Sequence, residues 1–395
     1  MQLTIGLLGC GVVGNGFLSL LNQNRDLIAR RSGLHVSVRK VLVRDKSKRA
    51  IDNLTDRAED ILGDPEIDLV VELMGGLEPA RSLALQALSR GKHLVTANKL
   101  MLAESGGQLF EAARERSVRI GFEASVGGAI PIIRALSQGL AANQIESMIG
   151  ILNSTSNFIL HRMEAGDSFD SALRSAQVKG FAEADPSLDV DGPDAAQKLA
   201  ILAWLGFGRS LGPLLVEGIR GLDPRDLNHP DYVVRHVGIA WRGGLRVHPA
   251  LLPRSHPLAG VRDEDNAVLI QSDSAGDLLF TGKGAGSLPT ASAVLSDVID
   301  IALGGGCRVP PWEPAGSDSD FESRYYIRLV GVPGILGVVS TILEAHGIGV
   351  RRAVVQSDLA IFSERTQESR MIKAIEQLSR QPILHQKPVL LRVVE

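Results

Sequence analysis

Between Gly180 and Asp194 the chain concentrates the carboxylates Glu183, Asp185, Asp189, Asp191 and Asp194. Pro193, a residue suited to the first turn of a helix, opens Asp194-Ala195-Ala196-Gln197-Lys198, and an apolar run from Leu199 to Trp204 follows. On a helix starting there, Asp194 and Lys198 stand at i and i+4 on one face. Two readings compete for that spacing. One is an ordinary surface ion pair. The other is chemical: a partly desolvated lysine beside a carboxylate suits proton transfer, and an acidic pocket next to it suits a substrate ammonium group. The acidic loop before the pair and the apolar flank after it favour the second. Lys99, in Val95-Thr96-Ala97-Asn98-Lys99, follows a short apolar run and falls where parallel sheets bind their ligands; a solvated helix start is its alternative. The nine histidines show no H-x-x-x-H or Cys/His spacing, so no transition-metal site is expected. No G-x-S-x-G elbow supports a hydrolase.

A third constellation lies at the N-terminus. Gly9-Cys10-Gly11-Val12-Val13-Gly14 is a G-x-G-x-x-G placed directly after an apolar run and opening an apolar helix. Gly9 permits the tight turn, Gly11 lets a pyrophosphate reach the backbone, and Gly14 lets helix and strand pack closely. The N–H groups of Val12 and Val13 and the helix dipole then face the phosphates. The alternative is a glycine turn that serves packing alone. Downstream, Leu42-Val43-Arg44-Asp45-Lys46 ends the second predicted strand. Arg44 stands where an acid often meets the NAD ribose, which favours the 2′-phosphate of NADP; NAD stays open, because Asp45 could take the ribose.

These groups need scaffolds. The predicted elements of the first stretch are strands at Leu3–Gly9, His35–Val43, Ile67–Leu73, His93–Thr96 and Val118–Glu123. Between them come helices at Val13–Leu21, Ala50–Ile61, Ala80–Arg90 and Leu109–Arg116. Such alternation predicts an α/β domain, a doubly wound parallel sheet of the Rossmann type over residues 1–130. Residues 131–310 read as mixed α+β, with a strand at Ile145–Leu152, helices near Asn157–Ala165, Ser171–Lys179 and Asp194–Gly206, and a hairpin at Val268–Ser272 and Leu278–Thr281. A Gly-rich segment, Gly282–Gly286, precedes a helix over Thr290–Ala302, which is expected to return to the first domain. The run Pro310-Pro311-Trp312-Glu313-Pro314 opens a linker over 311–322. Residues 323–395 repeat a strand–helix–strand–strand–helix–strand order and predict a small separate domain.

Composition narrows the function classes. The chain has 395 residues, 22% charged and 4% aromatic, with a formal net charge of -3. That balance provides neither a basic face nor a stacking platform, so nucleic acid is not an expected partner. The longest uncharged apolar stretch, Leu329–Leu343, is broken by Pro333 and glycines and falls short of the roughly 20 residues a bilayer requires, so no membrane association is expected. A strand beginning by Leu3 leaves no room for a signal peptide, and two cysteines suit a reducing cytoplasm. There are 42 glycines, against about 28 at an average usage near 7%; they mark turns and places of close backbone approach.

The ordered set of motifs resembles homoserine dehydrogenase over nearly the whole chain. The matching segments are Gly6–Gly14, Val71-Glu72-Leu73-Met74-Gly75-Gly76, Val95–Lys99, Glu123–Pro131, Gly180–Lys198, Gly284-Ala285-Gly286 and Pro289-Thr290-Ala291. The resemblance implies an oxidoreductase that interconverts L-homoserine and L-aspartate 4-semialdehyde with NAD(P), on the route to threonine, methionine and isoleucine. It implies Lys198 as acid/base with Asp194 as its partner, Lys99 as a second active-site lysine, and Glu183 and Asp189 as substrate ligands. Thr96, Lys99 and Gly286 would join the N-terminal glycines at the cofactor. Glu123, Val126, Gly128 and Ile130 resemble a loop that holds a monovalent cation, usually sodium, largely through backbone carbonyls. A homodimer or higher homo-oligomer is the family expectation. The C-terminal βαββαβ segment resembles an ACT module, on the cues Arg324–Leu329, Pro333–Leu336 and His346–Ile348, which in this family is associated with threonine inhibition. Two departures stand out. The Leu329–Pro333 turn is short and lacks the acid usual before Pro-Gly, and Asn153-Ser154-Thr155 replaces Asn-Gly-Thr.

Overall fold

The computed structural model describes residues 1–48, 53–208, 214–227, 229–307, 309–310, 320–332, 334–355 and 357–394. The chain divides into two compact units, each assembled from three segments: residues 1–152, 196–211 and 264–315 in one, and 153–195, 212–263 and 316–395 in the other. Most of the predicted linker, 311–319, lies outside the described residues, as does Pro333.

The first unit is built on six parallel strands: β1 (Gln2–Leu8), β2 (His35–Leu42), β3 (Leu54–Thr55), β4 (Leu69–Glu72), β5 (His93–Thr96) and β6 (Ile120–Gly121). Their order across the sheet is β3-β2-β1-β4-β5-β6, the doubly wound dinucleotide-binding arrangement whose strand order reverses beside β1. Both faces of the sheet are covered, so the strands read as continuous apolar runs instead of alternating ones. Ile5, Leu7, Leu69, Val71 and Val95 are all fully buried in one core cluster. The helix predicted over Ala50–Ile61 is replaced by a different arrangement. Residues 49–52 lie outside the described residues, Asn53 takes φ 65°, and Val41 and Val43 of the β2 edge donate to the carbonyls of Asn53 and Thr55. Ladder bonds win there over helical periodicity. The Thr55 hydroxyl donates to Asp60 at 2.6 Å, so only Glu59–Leu62 is left helical.

The same unit carries an antiparallel set in which Asp265–Ser272 pairs with both Ile145–Ile151 and Gly276–Lys283. The helix Ser287–Ala302 packs Ala291, Val294 and Val298 into the core of the six-stranded sheet. Its first residue donates from Ser287 Oγ to the Val12 carbonyl at 2.8 Å. Contact there is so close that a Cβ on Gly16 would lie 2.3 Å from Ser287 Oγ.

In the second unit a long hairpin, Tyr232–Trp241 against Gly244–Pro253, escapes the sequence reading. It carries Arg235, His236, Arg246 and His248 amid apolar residues and lacks period-2 alternation, because nearly every position is buried. Residues 320–394 form the expected βαββαβ order: strand Glu322–Leu329, helix Ile335–Ala345, strands Val350–Val355 and Leu359–Ser363, helix Glu368–Ser379 and strand Val389–Val393. Glu322–Leu329 pairs antiparallel with both Leu359–Ser363 and Val389–Val393. Val389–Val393 also pairs in parallel with Gly244–Pro253, Ala250 opposite Arg392. One face of this sheet packs Tyr325, Ile327 and Leu329 against the two helices. The other turns Tyr326, Leu391 and Val393 into a core shared with Phe158 and Leu160.

Candidate functional site

The first unit gathers the nucleotide-binding features at the C-terminal ends of β1, β4 and β5. Gly9 takes φ +92°, and a Cβ there would lie 2.7 Å from the Leu73 carbonyl oxygen, so the turn after β1 requires glycine. A Cβ on Gly14 would sit 2.6 Å from the Gly9 oxygen, which is the close packing its position predicts. Gly11 differs. It N-caps the helix Val12–Gln23 without a side-chain cap, and a Cβ on it would meet nothing within 4 Å. Val12 is exposed beside it. Open space in front of the first N–H groups of a helix fits a phosphate group. Gly286, N-cap of Ser287–Ala302 with φ 117°, is brought to this loop by the bond from Ser287 to Val12. Arg44 is exposed beyond the end of β2. Asp45 is engaged locally, accepting from Ser47 N at 3.0 Å and Ser47 Oγ at 2.6 Å.

Lys99 opens the helix Lys99–Glu115, and buried side chains fix that helix start. Glu72, fully buried at the end of β4, accepts from Thr96 Oγ1 at 2.6 Å and Met74 N at 2.7 Å. Burial pushes the Glu72 carboxyl up from its ordinary value, while those bonds oppose the shift. Thr96 Oγ1 accepts in turn from Asn98 N at 3.0 Å. Asn98 caps the helix, accepting from Met101 N at 3.1 Å and donating to the Gly76 carbonyl at 2.6 Å. Glu72 and Asn98 escaped attention as functional positions; the signal was an Asn at cap spacing and an acid closing an apolar strand.

Lys198 is buried, and its ammonium donates to the Leu152 carbonyl at 2.7 Å. Asn266 Nδ2 donates to the same oxygen at 3.0 Å. Gly284 lies against Asn266 so tightly that a Cβ would come within 2.0 Å of its Cγ. The lysine is thus tied, through one carbonyl and one asparagine, to the loop that ends at Gly286.

The loop predicted to hold a cation also belongs to this unit. Gly127 and Gly128 have positive φ, and a Cβ on Gly128 would fall 2.5 Å from the Lys283 carbonyl oxygen. Val126 and Ile130 are buried. The Glu123 carboxylate is already engaged, accepting from Ile133 N at 2.7 Å and Arg134 N at 3.0 Å, and burial raises its pKa. Among the described residues no cluster of His, Cys, Asp and Glu is arranged to hold a metal ion. The Glu123 carboxylate is spent on two backbone N–H groups.

The second unit holds the acidic loop. The helix Ser154–Glu164 is capped by Asn153, whose Oδ1 accepts from Ser156 N at 2.7 Å. Its Nδ2 donates to Asp189 Oδ1 at 2.7 Å and to Asp194 Oδ2 at 2.8 Å. Ser156 Oγ donates to the Asp189 carbonyl and Thr155 Oγ1 to the Phe181 carbonyl, so this helix start carries the loop. Gly192, at φ +99°, places its α-carbon against His236, whose ring a Cβ would approach to 3.4 Å. His236 is buried, with Nε2 at 3.0 Å from the Glu217 carbonyl, and burial lowers its pKa. Glu183 is exposed. Asp185 is held below the carboxylate range by Ser187, whose hydroxyl and N–H it accepts. Asp194 and Lys198 fall one turn apart on the helix Pro193–Phe207, as their spacing predicts.

Comparison with known proteins agrees with this geometry. Residues 9–123 match the family model described as the homoserine dehydrogenase NAD-binding domain, and residues 131–299 match the homoserine dehydrogenase model. The homoserine dehydrogenase of Synechocystis is 39% identical, with all of both chains covered. The crystal structure of a homoserine dehydrogenase from Thiobacillus denitrificans superimposes with a TM-score of 0.92 at 39% identity, covering 100% of this chain and 99% of that one. A hyperthermophilic archaeal homoserine dehydrogenase solved with NADPH matches 78% of this chain and 99% of its own, at 27% identity and a TM-score of 0.69. The strand order, the glycine loop and these matches agree: the chain is an oxidoreductase with a nicotinamide-binding Rossmann domain, and it belongs to the homoserine dehydrogenase family.

Proposed function

We propose that Lys198 is the acid/base of the interconversion of L-homoserine and L-aspartate 4-semialdehyde. The observation that carries this reading is the buried Lys198 ammonium, held by the Leu152 carbonyl at 2.7 Å one turn after a fixed Asp194. The nicotinamide supplies the redox equivalent when bound. In the reducing direction Lys198 gives a proton to the aldehyde oxygen, and in the other it takes the hydroxyl proton. Asp194 holds the ammonium in line, and Lys99, at a helix N-terminus, adds positive charge where the alkoxide develops. Glu183 and Asp189 take the substrate ammonium group. Gly9, Gly11, Val12, Val13 and Gly14 would hold the pyrophosphate, Gly286 would contact the cofactor on its nicotinamide side, and Thr96, whose hydroxyl is spent on Glu72, would contribute through its backbone.

The preferred cofactor in this reading is NADP. Arg44 is exposed, while Asp45 is occupied by Ser47. Glu123, Val126, Gly128 and Ile130 offer carbonyls to a monovalent cation such as sodium. Residues 1–130 bind cofactor, 131–310 bind substrate and make a homodimer, 311–322 link, and 323–395 form an ACT-like module whose effector would be threonine. The βαββαβ order supports the module, and the short turn before Pro333 is where an effector would sit.

Lys198→Ala tests the central assignment. The expected result is a loss of roughly 100-fold or more in kcat with NADPH affinity, followed by fluorescence, unchanged. Near-full turnover would refute it. Initial rates with NADPH and NADH, each with and without threonine, test the cofactor preference and the effector.

A further inference from the structure

Asn153 bonds three groups with one amide. Its Oδ1 accepts from Ser156 N at 2.7 Å, and its Nδ2 donates to Asp189 at 2.7 Å and Asp194 at 2.8 Å. The orientation of the amide follows from chemistry: a backbone N–H needs the oxygen, and two carboxylates need the nitrogen. All three bonds are made in a buried setting, since Asn153 is 4% exposed. The helix cap alone does not require asparagine. Serine, threonine or aspartate would accept from Ser156 equally well. Only the amide also supplies two donors to a pair of carboxylates that would otherwise repel each other.

We infer that Asn153 is a positioning residue that locks Asp189 and Asp194 into one rigid pair. The inference rests on the proposed roles of those two acids and goes beyond them. A ligand of the substrate ammonium and the partner of the acid/base lysine become a single element, anchored to the start of the helix Ser154–Glu164. Neither carboxylate turns without the other, so the group that takes the substrate ammonium and the carboxylate that partners the lysine keep a fixed relation. A misplacement of about 1 Å in such a pair costs roughly 100-fold in rate.

Asn153→Asp and Asn153→Ser separate this role from helix capping, because both keep an acceptor for Ser156. In Asn153→Asp three carboxylates meet, and protonation of any one of them restores a donor. The titratable groups there are the introduced acid, Asp189, Asp194, Lys198 one turn along the helix from Asp194, and His236, which interacts with Asp194. The expected result is a fall of roughly 100-fold in kcat/KM for homoserine near pH 8, shrinking severalfold relative to the parent as pH drops to 6. Asn153→Ser should lose roughly 10-fold to 100-fold at every pH. In both, NADPH affinity and the near-ultraviolet circular dichroism should match the parent. Parent-like kcat/KM in Asn153→Ser, or a pH-independent loss in Asn153→Asp, overturns the inference. Lys198→Ala, assayed in parallel, keeps the two assignments apart: its loss together with full activity in Asn153→Ser would sink the positioning role and spare the lysine.

Discussion

Asp297 shows how a single buried group reports on the cofactor domain. Its carboxylate accepts from Glu123 N at 2.7 Å and packs against Gly121, where a Cβ would lie 2.7 Å from its own. Burial, then the nearby Glu123 charge, push its pKa up to about 8, against the Glu123 N–H bond. An acid whose folded pKa exceeds its unfolded value binds an extra proton in the native state. Its stabilising contribution is complete below pH 3.8, the ordinary value, and is lost as pH rises toward about 8. Asn in its place keeps the acceptor and cannot ionise. Asp297→Asn should therefore gain stability relative to the parent as pH rises from 5 to 8.5, on the order of 4 kcal/mol. Urea unfolding at several pH values reads this directly, and parallel pH curves for the two proteins would contradict it. The candidate residues stand out in the sequence because their types and spacing are unusual: Asp194 and Lys198 on one helical face, and a glycine triplet after a strand. The residues that hold them do not. Asn153 and Asn266 act through partners distant in sequence, Asp189 and Leu152, and nothing local announces those pairings.

At the scale of elements, the glycine loop separates packing from binding. Gly14 is spent on helix–strand contact, whereas a Cβ on Gly11 meets nothing within 4 Å. Gly14→Ala should destabilise the fold, because the Gly9 oxygen in its way is backbone and cannot swing aside. Gly11→Ala should leave thermal unfolding within about 0.5 kcal/mol of the parent, yet weaken NADPH binding by roughly 10-fold or more, since its methyl group fills the space the pyrophosphate needs. Equal NADPH affinity in Gly11→Ala would show that the open space serves something else. Elements themselves were read best where a short apolar run or a helical period is bounded by turn residues. The buried strands β1, β4 and β5 and the helices Ala80–Ser89 and Ser287–Ala302 fall close to their predicted bounds. Two failures share one cause, long-range pairing. Leu54–Thr55 becomes a strand because β2 offers it a ladder. The hairpin Tyr232–Trp241/Gly244–Pro253 buries arginines and histidines whose partners come from elsewhere in the chain.

On the scale of the whole molecule, the C-terminal βαββαβ segment is built into the second unit and not appended to it. Arg392 lies on the strand that pairs with Gly244–Pro253. It bonds both carboxylate oxygens of Glu217 and also Glu368, which in turn accepts from Arg246. Arg392, Arg246 and Glu368 are all buried, so each charge depends on the others. Glu217 also accepts His236 through its carbonyl, which puts the quartet one residue from the acidic loop's packing partner. Removing one member of such a network leaves an uncompensated buried charge and costs about 3–5 kcal/mol. Glu368→Ala strands two guanidinium groups and should unfold at markedly lower urea, while Glu368→Gln, which keeps an acceptor, should lose less. The same contacts bear on any test of effector control. Deleting residues 323–395 would strip the edge of Gly244–Pro253 and remove Tyr326, Leu391 and Val393 from the core they share with Phe158 and Leu160. The truncated chain should aggregate or unfold, so a loss of threonine response in it would carry no information about where threonine binds. Any response to threonine is to be measured in the full chain and compared with substitutions in the turn around Gly334. A truncated protein that folded cooperatively and kept full turnover would refute this account of the second unit.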